Sequence, residues 1–394
     1  QMTPPTPGQP DKEPVVIPVR MGLLDDKGCS IPLRMEGEQL PDSGERILVL
    51  QSEREVFRFL DVPHAPVPSL LRGFSAPVKL DDDNDAAALR ILVAHEHDSF
   101  VRWDAFQRLA TAEIVRLVHG IVDDGQPSSA LRADPAFVAT FAALICDQRS
   151  PPAFRAEVAR LPDEATLGDA FEIVPIDAIH AARQALRVAL GTELAAELRA
   201  LYTEQTAATA DRPYAFNSDD AGSRALKNVA LAYLVAAGDF ALAQAQMTAA
   251  DNMTDELSAL ALLADVNHPG RADALERFYQ RWHHDALVMN AWFSVQASAS
   301  TADIIGDIKR LAQHTSFDAG NPNKIRALYG AFAMTPIHLH AADGSGYRLL
   351  AELTLTVDRD NPILAGRLSR FFNPWRRQDE GRRAFARDAL EMMA

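Results

Sequence analysis

The chain has 394 residues, which exceeds one ordinary hydrophobic core and predicts either two domains or one extended helical array. Its 39 basic and 54 acidic side chains give a net charge of −15, which disfavours a nucleic acid held on a basic face. No run approaches the ~18 consecutive apolar residues of a membrane span, so the sequence predicts no membrane partner. The two cysteines, Cys29 and Cys146, suggest no disulfide framework and favour a reducing compartment.

The beginning of the chain is rich in proline. Residues 1–14 carry five prolines and lack the apolar segment of a secretory signal. We therefore predict a proline-rich connector over residues 1–14. Because natural proteins rarely begin with glutamine, Gln1 suggests that the sequence is a piece of a longer protein.

Residues 15–81 are typical of a small antiparallel β-sandwich. Short β-type runs alternate with turn residues at a spacing of roughly ten residues per strand. Phe57 and Phe59 alternate with Arg58, as expected of a half-buried strand. The predicted strands cover residues 15–19, 31–33, 46–50, 56–60 and 69–74.

The pattern changes to helices after the acidic run at residues 81–85, and residues 82–394 predict an all-α helical-array domain. The fold class is therefore mainly α: a large, solenoid-like helical array preceded by a small antiparallel β-sandwich. The first 80 residues hold 9 basic and 11 acidic side chains, so most of the negative charge belongs to the array. The clearest helical segments are residues 100–109 (with Ser99 as the cap), 176–200, 224–237, 239–249, 254–265, 271–284, 287–297 and 302–313.

Patterns that would indicate catalysis or metal binding are weak. A zincin helix places two histidines on one face, separated by a glutamate and two further residues. In the run A-H-E-H-D-S, His95 and His97 would face about 160° apart on a helix, so we predict no metal site there. The run D-G-S-G at residues 343–346 lacks the spacing of a nucleophile elbow and predicts a turn before a helix, with Ser345 as the cap.

Two further predictions concern the helices themselves. Asn252 begins the run N-M-T-D and is predicted to cap a helix. Large aromatic side chains recur at helical spacing among alanines and leucines, which predicts that they pack in the core. They are Trp103, Trp282, Trp292 and Phe293.

The strongest candidate binding feature is the run N-P-N-K-I-R-A-L at residues 321–328. Asn321 can cap a helix through its side-chain oxygen, and Pro322 suits the first helical position. Lys324 and Arg326 then lie in the first turn, where each cation opposes the helix dipole at a cost of roughly 0.3–1 kcal/mol. Two interpretations follow: an anion site, such as a seat for a peptide carboxylate, or pairing of both cations with neighbouring acidic side chains.

Several motifs in the chain resemble, in the same order, those of the bacterial aminopeptidase N family, the alanyl aminopeptidases among the zinc gluzincins. The resemblance runs from near Pro14 to the end. The motifs are F-S-A-P-V-K-L at residues 74–80, D-S-F-V-R-W-D-A at 98–105, N-M-T-D at 252–255, N-P-N-K-I-R at 321–326 and D-G-S-G-Y at 343–347.

The resemblance implies that only the last two family domains are present, a small β-sandwich and a large helical domain. In the family, the zinc ligands, the catalytic glutamate, the transition-state tyrosine and the G-A-M-E-N loop lie in the first two domains, and none of these motifs occurs here. It therefore implies that this chain has no catalytic residue, metal or cofactor of its own and is inactive alone. Zinc belongs to the catalytic domain of the parent enzyme.

The function implied is that of a non-catalytic part of a zinc-dependent aminopeptidase, which caps the active-site cavity and gates peptide access. The implied partners are the parent's catalytic domain and peptide substrates, and the implied location is cytoplasmic. The candidate substrate-binding residues are Asn321, Lys324 and Arg326. Arg326 is favoured because its planar fork can bind a carbonyl or carboxylate, whereas Lys324 could simply be solvated. The alternative is a stand-alone helical scaffold that binds a peptide or protein.

Overall fold

The computed structural model describes residues 1–41, 44–210, 214–265 and 268–394. The chain forms two compact units. The first unit consists of residues 1–113 and 134–161, and the second unit consists of residues 114–133 and 162–394.

The first unit begins with antiparallel sheets built around one long strand, β1. Along β1, Ile17 to Met21 pair with β4, and Met21 to Leu24 pair with β6. β2 pairs with the end of β1, and β3 pairs with β5 in a separate two-stranded sheet. The strands are β1 Ile17–Leu24, β2 Ser30–Ile31, β3 Arg34–Met35, β4 Arg46–Leu50, β5 Phe59–Leu60 and β6 Val67–Leu70.

The sheets enclose a small apolar core. The first four residues of β1 alternate between half-buried and exposed side chains, whereas its last four are all buried. Met21, Leu23 and Leu48 are buried there, and Phe57 and Phe59 pack against them. Arg58 between the two phenylalanines is exposed, which confirms the predicted alternation. The strand itself is shorter than predicted, because only Phe59 and Leu60 pair with β3.

The predicted strand at residues 69–74 is wrong in its second half. β6 ends at Leu70, and a 3₁₀ turn, Arg72–Phe74, follows. Leu71 has a φ of 60°, a left-handed conformation that a strand cannot continue through. The turn buries the guanidinium of Arg72, whose Nη2 donates to Glu96 Oε2 at 2.8 Å and whose Nε donates to Ser69 Oγ at 2.9 Å.

The helices of the first unit follow this turn. Asp98, and not Ser99 as predicted, caps the second helix: its Oδ1 accepts from the Val101 amide at 3.0 Å. Phe106 stacks on Phe137 with ring centroids 5.7 Å apart. The helices are α1 Ala86–His95, α2 Ser99–Val122 (which contributes residues to both units), α3 Pro135–Ile145 and α4 Pro152–Val158.

The second unit is an array of helices joined by short turns. Its helices are α5 Glu164–Gly168, α6 Ile176–Glu193, α7 Ala195–Thr209, α8 Ser218–Ala236, α9 Phe240–Ala249, α10 Met253–Ala264, α11 Arg271–Trp282, α12 Ala286–Ala297, α13 Ile304–Ala312, α14 Pro322–Ile325, α15 Ala331–Ala333, α16 Pro336–Leu339, α17 Ser345–Asp358, α18 Pro362–Ser369 and α19 Glu380–Met393.

The largest difference between the array and the predicted helices lies at one joint, and α8 also begins earlier than predicted, at Ser218. The predicted single helix at residues 176–200 is two helices, α6 and α7, which meet at Leu194 with its φ of −109°. Gly191, just before the joint, lies so close to α8 that a Cβ there would overlap the carbonyl oxygen of Tyr233. This close approach of α6 to α8 is a tertiary contact, which the local sequence does not reveal.

One contiguous apolar cluster runs through the array from Leu231 to Ala389. Trp292 and Phe293 are buried within it, which confirms their predicted core packing. Trp282 and Trp103 are only half-buried, and Trp282 donates its indole N–H to Glu256 at 3.2 Å. The cluster and the sheets confirm the predicted fold class, an antiparallel β domain followed by a large helical array.

Among the helices formed by the described residues, none is both long and apolar enough to cross a lipid bilayer.

The buried Arg72–Glu96 pair gives a stability test. The Glu96 carboxylate is 3% exposed, so Arg72→Ala would leave a buried charge without its partner. We expect the free energy of unfolding to fall by about 3–5 kcal/mol in urea denaturation. Arg58→Ala is the control, because its ion pair with Glu36 is exposed and its removal should cost only about 0.2–1 kcal/mol. Equal losses in the two variants would contradict this account.

Candidate functional site

The candidate site begins with the short helix α14. The Oδ1 of Asn321 accepts from the Asn323 amide at 2.9 Å, and Pro322 occupies the first helical position. Both local predictions are therefore confirmed. The helix continues through a π-helical segment, Arg326–Gly330, into α15. Single π turns inside helices are rare and occur frequently at functional sites.

Lys324 is buried against helix α12, so the alternative that it is simply solvated is wrong. Only 6% of the residue is exposed. Its Nζ donates to the carbonyl oxygen of Ala286 at 3.3 Å and lies 5.2 Å from the centroid of the Phe293 ring. Burial lowers the pKa of the Lys324 ammonium, and the charge of Asp318 partly offsets that effect.

Arg326 lies on the surface and folds back along its own helix. Its Nη2 donates to Asn323 Oδ1 at 2.7 Å, and its Nε donates to the carbonyl oxygen of Pro322 at 3.3 Å. Among the described residues, no carboxylate forms a salt bridge with Arg326 or Lys324. The interpretation that both cations pair with neighbouring acids is therefore wrong, and the two side chains have separate surroundings.

The π-helical segment is fixed by helix α12. Ser294 donates its hydroxyl to the carbonyl oxygen of Ala327, within the π turn, at 2.9 Å. Tyr329 is buried against Phe317 with ring centroids 5.5 Å apart. Burial raises the pKa of the Tyr329 hydroxyl to about 12, so it stays neutral. The backbone that carries Arg326 is thus held by the core beneath it.

The D-G-S-G-Y motif forms a tightly packed turn before α17. Gly344 has a φ of +72°, and Asp343 Oδ1 accepts from the Ser345 amide at 3.0 Å, so the predicted capping role of Ser345 is wrong. A Cβ at Gly346 would overlap the carbonyl oxygen of His338. Tyr347 is fully buried, and its hydroxyl lies 2.6 Å from His340 Nδ1.

Sequence reasoning missed Asn323 as the partner of Arg326. The spacing of three residues within one helix was the available signal, since such pairs are neighbours on a helix surface. It also missed Ala286 and Phe293 beneath Lys324. These residues are distant in sequence, so no local pattern could have found them.

Within the described ranges, no group of three or more His, Cys, Asp or Glu side chains is arranged to hold a metal ion. His95 and His97 are exposed at the end of α1, whereas Glu96 between them is buried against Arg72. His283 and His284 also lie outside any such group. We therefore derive no metal chemistry from this chain.

A small antiparallel β domain followed by stacked helices defines the class of this protein. A family described as a domain of unknown function (DUF3458) with an Ig-like fold matches residues 1–83. A second family, described as a domain of unknown function (DUF3458_C) with ARM repeats, matches residues 86–394. The second match covers most of the sequence, and the chain belongs to this ARM-repeat family, with the Ig-like domain before it.

The chain is similar to named proteins over its whole length. Aminopeptidase N of Escherichia coli (strain K12) is 37% identical over 399 residues, covering 100% of this chain and 44% of that protein. Aminopeptidase N of Haemophilus influenzae is 31% identical, with the same coverage. The crystal structure of Legionella pneumophila aminopeptidase A in complex with aspartic acid has a TM-score of 0.83 and 30% identity, covering 96% of this chain and 43% of that one.

The chain thus spans less than half the length of these relatives. It is homologous to the C-terminal 44% of bacterial aminopeptidase N, which confirms the resemblance found in the sequence motifs. The predicted domain bounds, 1–14, 15–81 and 82–394, stay predictions.

The His340–Tyr347 contact predicts a pH dependence of stability. Burial, followed by the charge of Arg382, lowers the pKa of His340 from 6.5 to about 4. Between these values the unfolded chain binds a proton that the folded chain does not, so stability rises with pH there. We expect the free energy of unfolding to decrease by about 3 kcal/mol as the pH falls from 6.5 to 4.

The measurement is urea denaturation at several pH values. His340→Gln should flatten the slope over this range, and His64→Gln, at an exposed histidine, is the control. A slope that is the same in His340→Gln and in the unmodified chain would contradict the assignment.

Proposed function

We propose that this chain is the non-catalytic C-terminal part of a zinc-dependent aminopeptidase, where it caps the active-site cavity and gates peptide access. The observation that carries the proposal is the full-length match of the chain to less than half of aminopeptidase N. The lack of a metal-binding group among the described residues fits a part whose zinc lies in another domain. A stacked helical array also suits a wall around a cavity.

Within this proposal, Arg326 contacts the peptide. Asn323 and the Pro322 carbonyl oxygen engage Nη2 and Nε of Arg326, and none of the described residues accepts from Nη1, which is open for a ligand acceptor. A carbonyl or carboxylate oxygen of a bound peptide is a strong acceptor for such a charged donor. Because part of the fork is already held, less side-chain freedom is lost on binding.

The other two candidate residues support the same turn. Asn321 starts the helix that carries Arg326 and fixes its first turn. Lys324, two residues before Arg326, adds a buried positive charge, which favours a nearby anion. The proposed partners are therefore the catalytic domain of the parent enzyme and its peptide substrates, in a cytoplasmic enzyme.

Kinetics of the longer enzyme test the role of Arg326. We expect Arg326→Ala to raise KM for a tripeptide by about tenfold, with a smaller decrease in kcat, because a charged hydrogen bond to substrate is worth roughly 1.5–3 kcal/mol. Arg359→Ala, at another exposed arginine of the helical array, should leave both constants unchanged. An unchanged KM in Arg326→Ala would remove Arg326 from the site.

An assay of this chain alone tests whether catalysis and zinc binding lie in another domain. We expect the 394-residue protein to release no p-nitroaniline from alanine p-nitroanilide and to hold no stoichiometric zinc, because no zinc-ligand group is present in its described residues. Turnover that a chelator abolishes would overturn this expectation.

The surrounding gene separates the stand-alone scaffold from the proposed function. An upstream reading frame that encodes H-E-x-x-H supports the enzyme, and a start codon near Met2 supports the scaffold.

A further inference from the structure

A second feature of the helical array has no place in the function proposed above. A cavity of about 200 Å³ lies among helices α7, α8, α9 and α10. This volume is smaller than the ~300–1,000 Å³ of pockets for drug-sized ligands, so it suits a molecule of the size of one or two amino acids. Its polar lining includes Asp220, Arg224, Lys227, Gln246, Asp251 and Asp255.

Arg224 is the unusual member of this lining. The residue is only 5% exposed, and its Cζ lies 5.1 Å from the centroid of the Tyr214 ring, which fixes the plane of the guanidinium. Among the described residues, nothing accepts a hydrogen bond from the guanidinium or forms an ion pair with it. Its guanidinium nitrogens are accessible rather than sealed in the interior, so the unused N–H donors can reach an anion in the cavity.

The neighbouring cation, by contrast, is already satisfied. Lys227 Nζ lies 2.5 Å from Asp255 Oδ2, and Asn228 and Asn252 donate to the same carboxylate at 2.9 and 3.0 Å. Lys227 therefore serves the packing of the helices, and Arg224 is the side chain that still lacks an acceptor. A carboxylate matches it best, since its two oxygens fit the guanidinium fork.

The charge of the whole lining restricts the ligand further. The described lining residues carry three carboxylates against two cations, so a simple anion is disfavoured. A ligand that brings its own ammonium group avoids this cost, because the exposed carboxylate of Asp251 offers negative charge at the same cavity. Gln246 borders the cavity with a buried Oε1 that has no partner among the described residues.

We propose that this cavity binds a small zwitterion, a free amino acid or a short peptide, with its carboxylate on the Arg224 guanidinium. The inference does not rest on the role assigned to Arg326, because the two sites share no residue. A failure of either can therefore be recognised separately.

Ligand-observed NMR titration of the 394-residue chain tests the proposal. The probes are alanine, alanyl-alanine, alaninamide and N-acetylalanine. We expect alanine or alanyl-alanine to saturate with a Kd of about 1 mM or lower, and the tighter of the two identifies a free amino acid or a peptide as the source. Alaninamide lacks the carboxylate and N-acetylalanine lacks the ammonium, so each should bind at least tenfold more weakly.

Two variants assign the binding to Arg224. Arg224→Gln keeps hydrogen-bond donors but removes the charge, and it should weaken binding at least tenfold. Tyr214→Ala should also weaken binding, and it keeps the test usable if Arg224→Gln fails to fold, because Tyr214 is 52% exposed. Arg376→Gln is the matched control, since Arg376 stacks on Trp375 at 4.7 Å outside the cavity.

Three outcomes would overturn the proposal. The first is that neither alanine nor alanyl-alanine shows saturable binding, and the second is that alaninamide binds as tightly as alanine. The third is that the affinity is unchanged in Tyr214→Ala and, if that variant folds, in Arg224→Gln.

Discussion

The buried residue Asp255 joins three consecutive helices of the array. Its carboxylate accepts from Lys227 and Asn228 on α8 and from Asn252 at the start of its own helix, α10. Its backbone carbonyl oxygen accepts from the side chain of Gln246 on α9 at 3.0 Å. Hydrogen bonds require defined distances and angles, which contacts between apolar helix faces do not. This cluster therefore fixes the relative positions of α8, α9 and α10 within the larger apolar packing.

Local sequence signals predicted the structure where the physics is local. Asn252 and Asn321 cap their helices as expected, because a cap needs only the amides of the next turn. The errors lie where a distant contact decides. The strand at residues 69–74 ends because Arg72 turns inward to meet Glu96, and the helix at residues 176–200 breaks at a joint beside α8. Such contacts override local propensity and leave no mark in the nearby sequence.

The candidate site shows the same difference between local features, which the sequence predicts, and distant contacts, which it does not. The sequence identified the turn that carries Arg326, because the placement of cations at a helix start is visible in a single line of residues. It allowed Lys324 to be solvated, which is wrong, since the burial of that side chain depends on residues distant in sequence. Phe293 and Ala286 hold Lys324 inside, while Arg326 stays on the surface with Asn323. The π-helical segment that begins at Arg326 also has no sequence signature.

The contacts of the last helix, α19, have a consequence for synthesis on the ribosome. Arg382 donates to the carbonyl oxygen of His340 and to Asp177, and a side chain at Gly344 would collide with Phe385. The turn before α17 and the start of α6 are thus completed by residues that leave the ribosome after them. Earlier helices can stack as they emerge, but this closure must wait until α19 has been synthesised. Until then, the apolar surface that α19 covers is open to chaperones and to other nascent chains.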